Sequence, residues 1–209
     1  MLLADAPLTL REFVTHEEVP LAAVFREVLE FLVDRSDAVV FGAHAVNAYC
    51  APERMTQDVD LLSTHAAALA EQLRDRLSER LRIAARVREV VPGQGFRVYQ
   101  VRKAGNRHLV DVRLVDALPP SQTFAGVQVL APSDLIAMKV VGLVRRAGRP
   151  KAGTDLVDVQ RLLLTFPALK DDPRAVNERL VRLGADAEVL SRWSEIAQAP
   201  LEADEDEGW

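Results

Sequence analysis

Apolar residues recur at positions 21, 24, 25, 28, 29 and 32 of "EEVPLAAVFREVLEFLVD" (17–34), the three-and-four spacing that predicts an amphipathic helix. "AVVF" (38–41) follows as a short buried strand. Gly42 breaks it, and "AHAVNAYC" returns to helical spacing. Residues 57–62 alternate as a strand, and "HAAALAEQLRDRLSERL" (65–81) reads as a second amphipathic helix. Three strand-like segments come next: "RIAARVREVV" closed by Pro92 and Gly93, "FRVYQVRK" closed by the turn "AGN", and "HLVDVRLVD". "AGVQVLAPSDL" is read as a last strand running into a helix, with Ser133 or Asp134 near its cap. Helical patterns then cover 133–146, about 154–165, about 173–183 with Pro173 at its start, and about 187–198.

The order predicts an α+β fold, a small mixed β-sheet core with flanking helices followed by a C-terminal helical region. The boundaries expected are 1–130 for the core, 131–200 for a helical domain completing its cleft, and 201–209 for an acidic disordered tail. No repeat and no low-complexity linker interrupts the chain. An apolar fraction of 49% and a charged fraction of 27% are ordinary for a globular protein. The apolar runs are too short to span a bilayer, and "MLLADAPLTLREF" lacks a basic n-region, so neither a membrane span nor a signal peptide is expected. A single cysteine, Cys50, excludes an internal disulfide framework, and the cytoplasm is the default location. The net charge of −5 argues against a general nucleic-acid binder, yet Lys139, Arg145, Arg146, Arg149 and Lys151 form a run without acids, and 74–103 is rich in arginine. Such runs are solvated helix ends in the plain reading and phosphate-receiving faces in the sharper one.

The chemistry centres on "RMTQDVDLLS" (54–63). Asp58 and Asp60 alternate with Val59 and Leu61, so both carboxylates face one side of a strand and require a positive partner. Asp111, between Val110 and Val112, supplies a third acid in another strand. Three carboxylates on neighbouring strands make a hard-oxygen site suited to Mg²⁺, and two such ions can hold the attacking and leaving oxygens of an in-line displacement. Gly42, at a strand–helix joint, lets a phosphate approach the backbone. Plainer readings stand beside these. Asp58 and Asp60 can be a solvent-facing strand edge, Asp111 can pair with Arg113, and Lys139 can snorkel from an apolar helix face. Arg54 reads as a loop organiser tying a carboxylate or a carbonyl, His44 as structural, and Cys50 as buried filler. His16, His65 and His108 have no metal-ligand spacing, and Trp193 and Trp209 offer base stacking at most.

"FGAHAVNAYCAPERMTQDVDLL" resembles the first motif of the nucleotidyltransferase superfamily related to DNA polymerase β, in which a Gly-Ser or Gly-Gly pair opens a helix and an acid-x-Asp strand follows. The branch it resembles most is that of the AbiEii-type toxins of bacterial toxin–antitoxin systems, with its Arg-x-Ser/Thr-x-Asp-x-Asp string, here Arg54, Thr56, Asp58 and Asp60. "LAPSDLIAMKVVGLVRR" and "GTDLVDVQRLL" are similar to the later helices of that branch, and the resemblance spans about 36–165. It implies that Asp58 and Asp60 bind the two Mg²⁺ ions holding a nucleoside triphosphate, that Asp111 shares a metal and acts on the acceptor hydroxyl, and that Gly42 and Ala43 border the phosphates. It further implies that Arg54 and Thr56 belong to the nucleotide site, that Lys139 faces phosphates, and that Asp155 and Asp158 occupy its acidic helix positions. The implied acceptor is RNA, such as a tRNA 3′ end, or else a small-molecule or protein hydroxyl, and the implied partner a cognate antitoxin. Ala43 departs from the pattern: the hydroxyl of a serine there is missing, leaving backbone N–H groups to serve the phosphates. That departure favours one rival, a catalytically degenerate binding module of the same fold. A metal-dependent nuclease using the same acids is the other.

Overall fold

The computed structural model describes residues 9–14, 17–103 and 105–202. His16, Trp209 and most of the acidic tail lie outside them, and the statements below concern the described residues. In chain order the elements are α1 (Leu10–Val14), α2 (Leu21–Leu32), β1 (Ala38–Phe41), α3 (Gly42–Tyr49), β2 (Val59–Ser63), α4 (Ala66–Leu81), β3 (Ala85–Val91), β4 (Gly95–Gln100), β5 (Arg107–Leu114), β6 (Ser121–Phe124), β7 (Val127–Leu130), α5 (Pro132–Arg145), α6 (Pro150–Thr165), α7 (Ala168–Asp171), α8 (Arg174–Arg182) and α9 (Ala187–Gln198). The α+β class read from the sequence is the class observed. No helix among the described residues is long and apolar enough to cross a membrane.

The strands form one mixed sheet in the order β3-β4-β5-β2-β1-β7-β6. β3, β4 and β5 are an antiparallel meander, β5 runs parallel to β2, β2 is antiparallel to β1, and β1 is parallel to β7. Val59, Leu61, Val98, Val110 and Val112 are fully buried, and α4 packs across β2, β3, β4 and β5. The alternate positions of these strands, Asp60, Arg97 and Asp111, therefore stand on the opposite face.

Three elements escape the sequence pattern because none carries an apolar period. β6 (SQTF) is exposed throughout and is held as a hairpin partner of β7 by Ala125 and Gly126, whose φ values of 47° and 82° suit a two-residue turn. α7 is a single turn with no buried residue. α1 is one turn fixed by a reciprocal cap: the Glu12 amide donates to the Thr9 hydroxyl at 3.1 Å, and the Thr9 amide donates to the Glu12 carboxylate at 3.0 Å. One cap also differs from expectation. Ala131 stands at the N-cap of α5 with no side-chain bond, and Pro132 occupies the first turn, so neither Ser133 nor Asp134 caps the helix.

The chain divides into two compact units, residues 1–44 with 54–129, and 45–53 with 130–209. In the first, α2 packs on α4, and the His44 ring meets the Phe25 ring edge-on with centroids 4.5 Å apart. Burial, helped by the charge of Arg54, depresses the His44 imidazole to about 4, so it is neutral at pH 7. In the second unit α5 is the hub, packed against α6, α8 and α9 over Leu135, Ile136, Leu162, Leu163, Leu180 and Trp193. Trp193 is 1% exposed and belongs to this core, which removes the base-stacking option. Its buried indole Nε1 has no hydrogen-bond partner. Cys50, read as buried filler, is buried and receives the Thr165 hydroxyl at 3.3 Å.

Two outcomes follow. Trp193→Ala should cost about 3–5 kcal/mol in a denaturant titration, whereas Trp193→Phe should cost much less, since no hydrogen bond is lost with the indole nitrogen. For His44 the folded pKa of about 4 lies below the free value of 6.5. The unfolded chain then binds the proton first, and stability present above pH 6.5 is lost as the pH falls towards 4. His44→Gln should flatten this acid slope, by up to about 1.4 kcal/mol per pH unit, in unfolding curves measured between pH 4 and 7.

Candidate active site

Sheet register assembles a row of side chains. Asp60 on β2 lies opposite Asp111 on β5, Asp111 lies opposite Arg97 on β4, and Phe41 on β1 lies opposite Asp60. Opposed residues share a face, so two acids and an arginine line up across three strands. Asp58 immediately precedes β2, two residues before Asp60, and carries a half-buried carboxylate to the same end. The Thr56 hydroxyl donates to the Asp58 carbonyl at 3.2 Å, and an Arg54 Nη donates to the Met55 carbonyl at 3.2 Å. These bonds shape the approach to the strand, which agrees with Arg54 as a loop organiser.

Gly42 opens α3 with φ of +71°, and a Cβ there would fall 2.0 Å from Oδ2 of Asp60. The Asp60 carboxylate is thus seated against the glycine backbone, a closeness that no other residue type permits. Ala43 follows, buried at 8% exposure. The strand acid and the helix start are therefore physically joined in this chain.

Asp111 differs from expectation. Its rival partner in the sequence was Arg113, but that guanidinium lies over the Phe41 ring, 4.9 Å from the centroid. The partner is Arg97, whose Nε and Nη2 donate to Oδ1 and Oδ2 at 2.5 and 2.8 Å. The hydrogen bond to Asp111 raises the Arg97 pKa above its ordinary value, and the charges of Asp111, Asp58 and Asp60 add to the effect. Asp111 is thus engaged by Arg97, and among the described residues no group of three or more His, Cys, Asp or Glu is disposed to hold a metal ion. Asp58 and Asp60 remain a two-carboxylate donor set, which is what Mg²⁺ takes when substrate phosphates complete its shell.

A cavity of ≈ 540 Å³ opens beside Asp58, lined among others by Thr56, Gln57, Arg102, Arg107 and His108. Its wall is an ionic cluster that sequence pattern missed. Arg107 donates to the Glu12 carboxylate and, at 2.8 Å, to the Val19 carbonyl, and Arg102 donates to Glu17. Burial pushes the Glu12 carboxyl up, but the amides of Thr9 and Leu21, the Thr9 hydroxyl and Arg107 outweigh it and hold it below the usual range.

The second unit gathers the remaining candidates among themselves. Lys139 Nζ donates to Asp158 at 2.6 Å and to Asp155 at 3.4 Å. Arg146 donates to Asp155 at 2.5 and 3.1 Å, and Arg161 approaches Asp158 at 4.0 Å while bonding the Cys50 carbonyl at 3.1 Å. Asp155 and Asp158 are 1% and 0% exposed. In this arrangement Lys139 does not snorkel but is held by the two acids. Arg146, too, is drawn out of the solvated basic run.

Comparisons with known proteins agree with this architecture. The structure is similar to a Megavirus polyadenylate synthase (TM-score 0.58, 14% identity, 70% of this chain), of which it spans only 32%. It is also similar to JHP933 from Helicobacter pylori (TM-score 0.50, 15% identity, 92% of each chain), and to a further H. pylori protein described as a nucleotidyltransferase (TM-score 0.52, 15% identity, 91% and 95%). At these identities the likeness is one of fold. No curated protein sequence matches the chain. The sequence profile described as "Nucleotidyl transferase AbiEii toxin, Type IV TA system" matches residues 25–208, and with nearly the whole chain covered, the protein belongs to the AbiEii nucleotidyltransferase toxin family.

Proposed function

We propose that this chain transfers a nucleoside monophosphate from a nucleoside triphosphate to a hydroxyl acceptor in a Mg²⁺-dependent reaction, with RNA, such as a tRNA 3′ end, as the acceptor. It would act in the cytoplasm, as a toxin restrained by a cognate antitoxin protein. The observation that carries the reading is the seating of Asp60 against the bare backbone of Gly42, with Asp58 two residues before it. Mg²⁺ held by Asp58 and Asp60 would supply neutralisation of the triphosphate charge. The space above Gly42 is taken by Asp60, and the N–H donors at the start of α3 would serve the phosphates in place of the missing serine hydroxyl. Thr56 and Arg54 fix the loop that delivers Asp58. The acceptor oxygen then bonds to the α-phosphorus beside the acid row, the bond from that phosphorus to the bridging oxygen breaks, and pyrophosphate leaves with the electron pair. The hydroxyl proton passes to water.

An RNA acceptor is supported by the sheet face that carries the acids. Arg88 on β3 is exposed and opposite Arg97, and Arg86 is exposed and opposite Tyr99. Neither has a carboxylate partner among the described residues, so both are available to phosphates continuing from the site.

Incubation with each α-labelled nucleoside triphosphate, Mg²⁺ and total RNA should place label on RNA ends. Asp58→Asn and Asp60→Asn should each reduce incorporation about a hundredfold or more without lowering the melting temperature, because removing one of two neighbouring like charges relieves repulsion. Shortened RNA without label would instead support a nuclease. Absence of metal-dependent nucleotide binding would support the binding module that Ala43 favours. RNA affinity should fall at least about tenfold between 50 and 200 mM salt, and Arg86→Ala with Arg88→Ala should reduce the slope of log affinity against log salt by about two, as read by filter binding.

A further inference from the structure

Resting on the reading just given, we propose that Arg97 is a built-in cation at Asp111. It takes the place of a second metal ion, so that the chain works with a single ion, the one borne by the nucleotide on Asp58 and Asp60.

The charge balance of the row leads there. Asp60 and Asp111 are in register on adjacent parallel strands, and carboxylates so placed need a cation between or beside them. The fold already provides one. Arg97 grips both oxygens of Asp111 in a fork, at 2.5 and 2.8 Å, the bidentate geometry that makes guanidinium–carboxylate pairs strong and directional. Asp111 and Arg97 are 17% and 29% exposed at the side chain, so the pair is shielded from the solvent that weakens surface ion pairs. A divalent ion on Asp111 would have to displace or sit beside this fixed positive charge.

The pairing is produced by a local device. Gln100 and Tyr99 oppose Arg107 and His108, and carried straight on this register would set Arg97 opposite Val110. Leu109 is instead an extra residue on β5, so Val98 meets Val110 and Arg97 meets Asp111. Bulges re-aim side chains in this way beside functional sites. Arg113, two residues along the same strand, is turned to Phe41 and does not compete. Asp111 thus serves as the anchor that presents a guanidinium to the acceptor side of the site, and Arg97 is the positioning charge.

Counting bound Mn²⁺ by electron paramagnetic resonance, with full-length protein saturated by a non-hydrolysable triphosphate analogue, tests this. One Mn²⁺ per wild-type complex and two per Arg97→Gln complex are expected, with Arg97→Lys returning the count to one. Arg97→Gln with Asp111→Asn should again hold one, which assigns the added ion to Asp111. Thermal unfolding of each variant identifies any that does not fold, and Arg97→Lys, which keeps the charge, guards against loss of the glutamine variant. Two ions in the wild type, or one in a folded Arg97→Gln protein, would overturn the inference while leaving the nucleotidyl-transfer reading intact. Failure of any Mn²⁺ to bind with the nucleotide would overturn that reading itself.

Discussion

Two carboxylates in register on neighbouring strands set the terms for everything around them. Strands lie about 4.8 Å apart, and at such separations two unit charges near a protein surface repel by about 4 kcal/mol, a large fraction of the stability of an ordinary domain. Asp60 and Asp111 occupy such positions. The fold answers with Arg97 on the strand beyond and with the open glycine backbone against which Asp60 is seated. Sheet order, the glycine at the strand–helix joint and the bulge in the β4–β5 pairing all act on this one electrostatic problem. The sheet is also what makes the problem local: Asp60, Arg97 and Asp111 project from one face, while the valines and leucines of the alternate positions are sealed beneath α4.

The second unit resolves a similar conflict by a different route. Asp155 and Asp158 lie one helical turn apart on α6, so their carboxylates share a side of the helix. Both are buried, where an uncompensated charge is far more costly than at a strand edge. Lys139, Arg146 and Arg161 surround them, giving three cations for two acids. This explains how a lysine can sit within the apolar run "LIAMKVVGLV" of α5: it is not reaching past the core to water but is required inside it. The basic run 139–151 is correspondingly less open than its composition implies, and the exposed positive residues available to a polyanion include Arg86 and Arg88 on the meander.

Much of this is legible in the amino-acid sequence. The strong periods gave β1, α3, β2, α4 and the three strands of the meander, because each buries one face, and burial imposes period. Asp58, Asp60 and Gly42 were legible because their residue types are costly in the places the pattern puts them. α1, β6 and α7 were not, since they are fixed by a cap, a turn and a neighbour rather than by apolar spacing. Arg97 was hidden for a more specific reason. Hairpin arithmetic from the "AGN" turn places it opposite Val110, and only the extra residue at Leu109 sets it opposite Asp111. A one-residue slip changes which face a side chain occupies, so no count from the turn alone could have paired it. The ionic wall of Glu12, Glu17, Arg102 and Arg107 was hidden by distance, with partners 85 and 95 residues apart in the chain.

That single inserted residue joins fold to chemistry. Were Leu109 in register, Val110 rather than Asp111 would oppose Arg97, and the arginine would face an apolar neighbour instead of its carboxylate. The bulge leaves Leu109 and Val110 both buried, so the core under α4 accepts two consecutive apolar residues as the cost of turning the following acid outward. Local strand regularity is thus given up where keeping it would have parted Arg97 from Asp111. In the meander it is the segment from Leu109 to Asp111 whose register sets the Arg97–Asp111 pair.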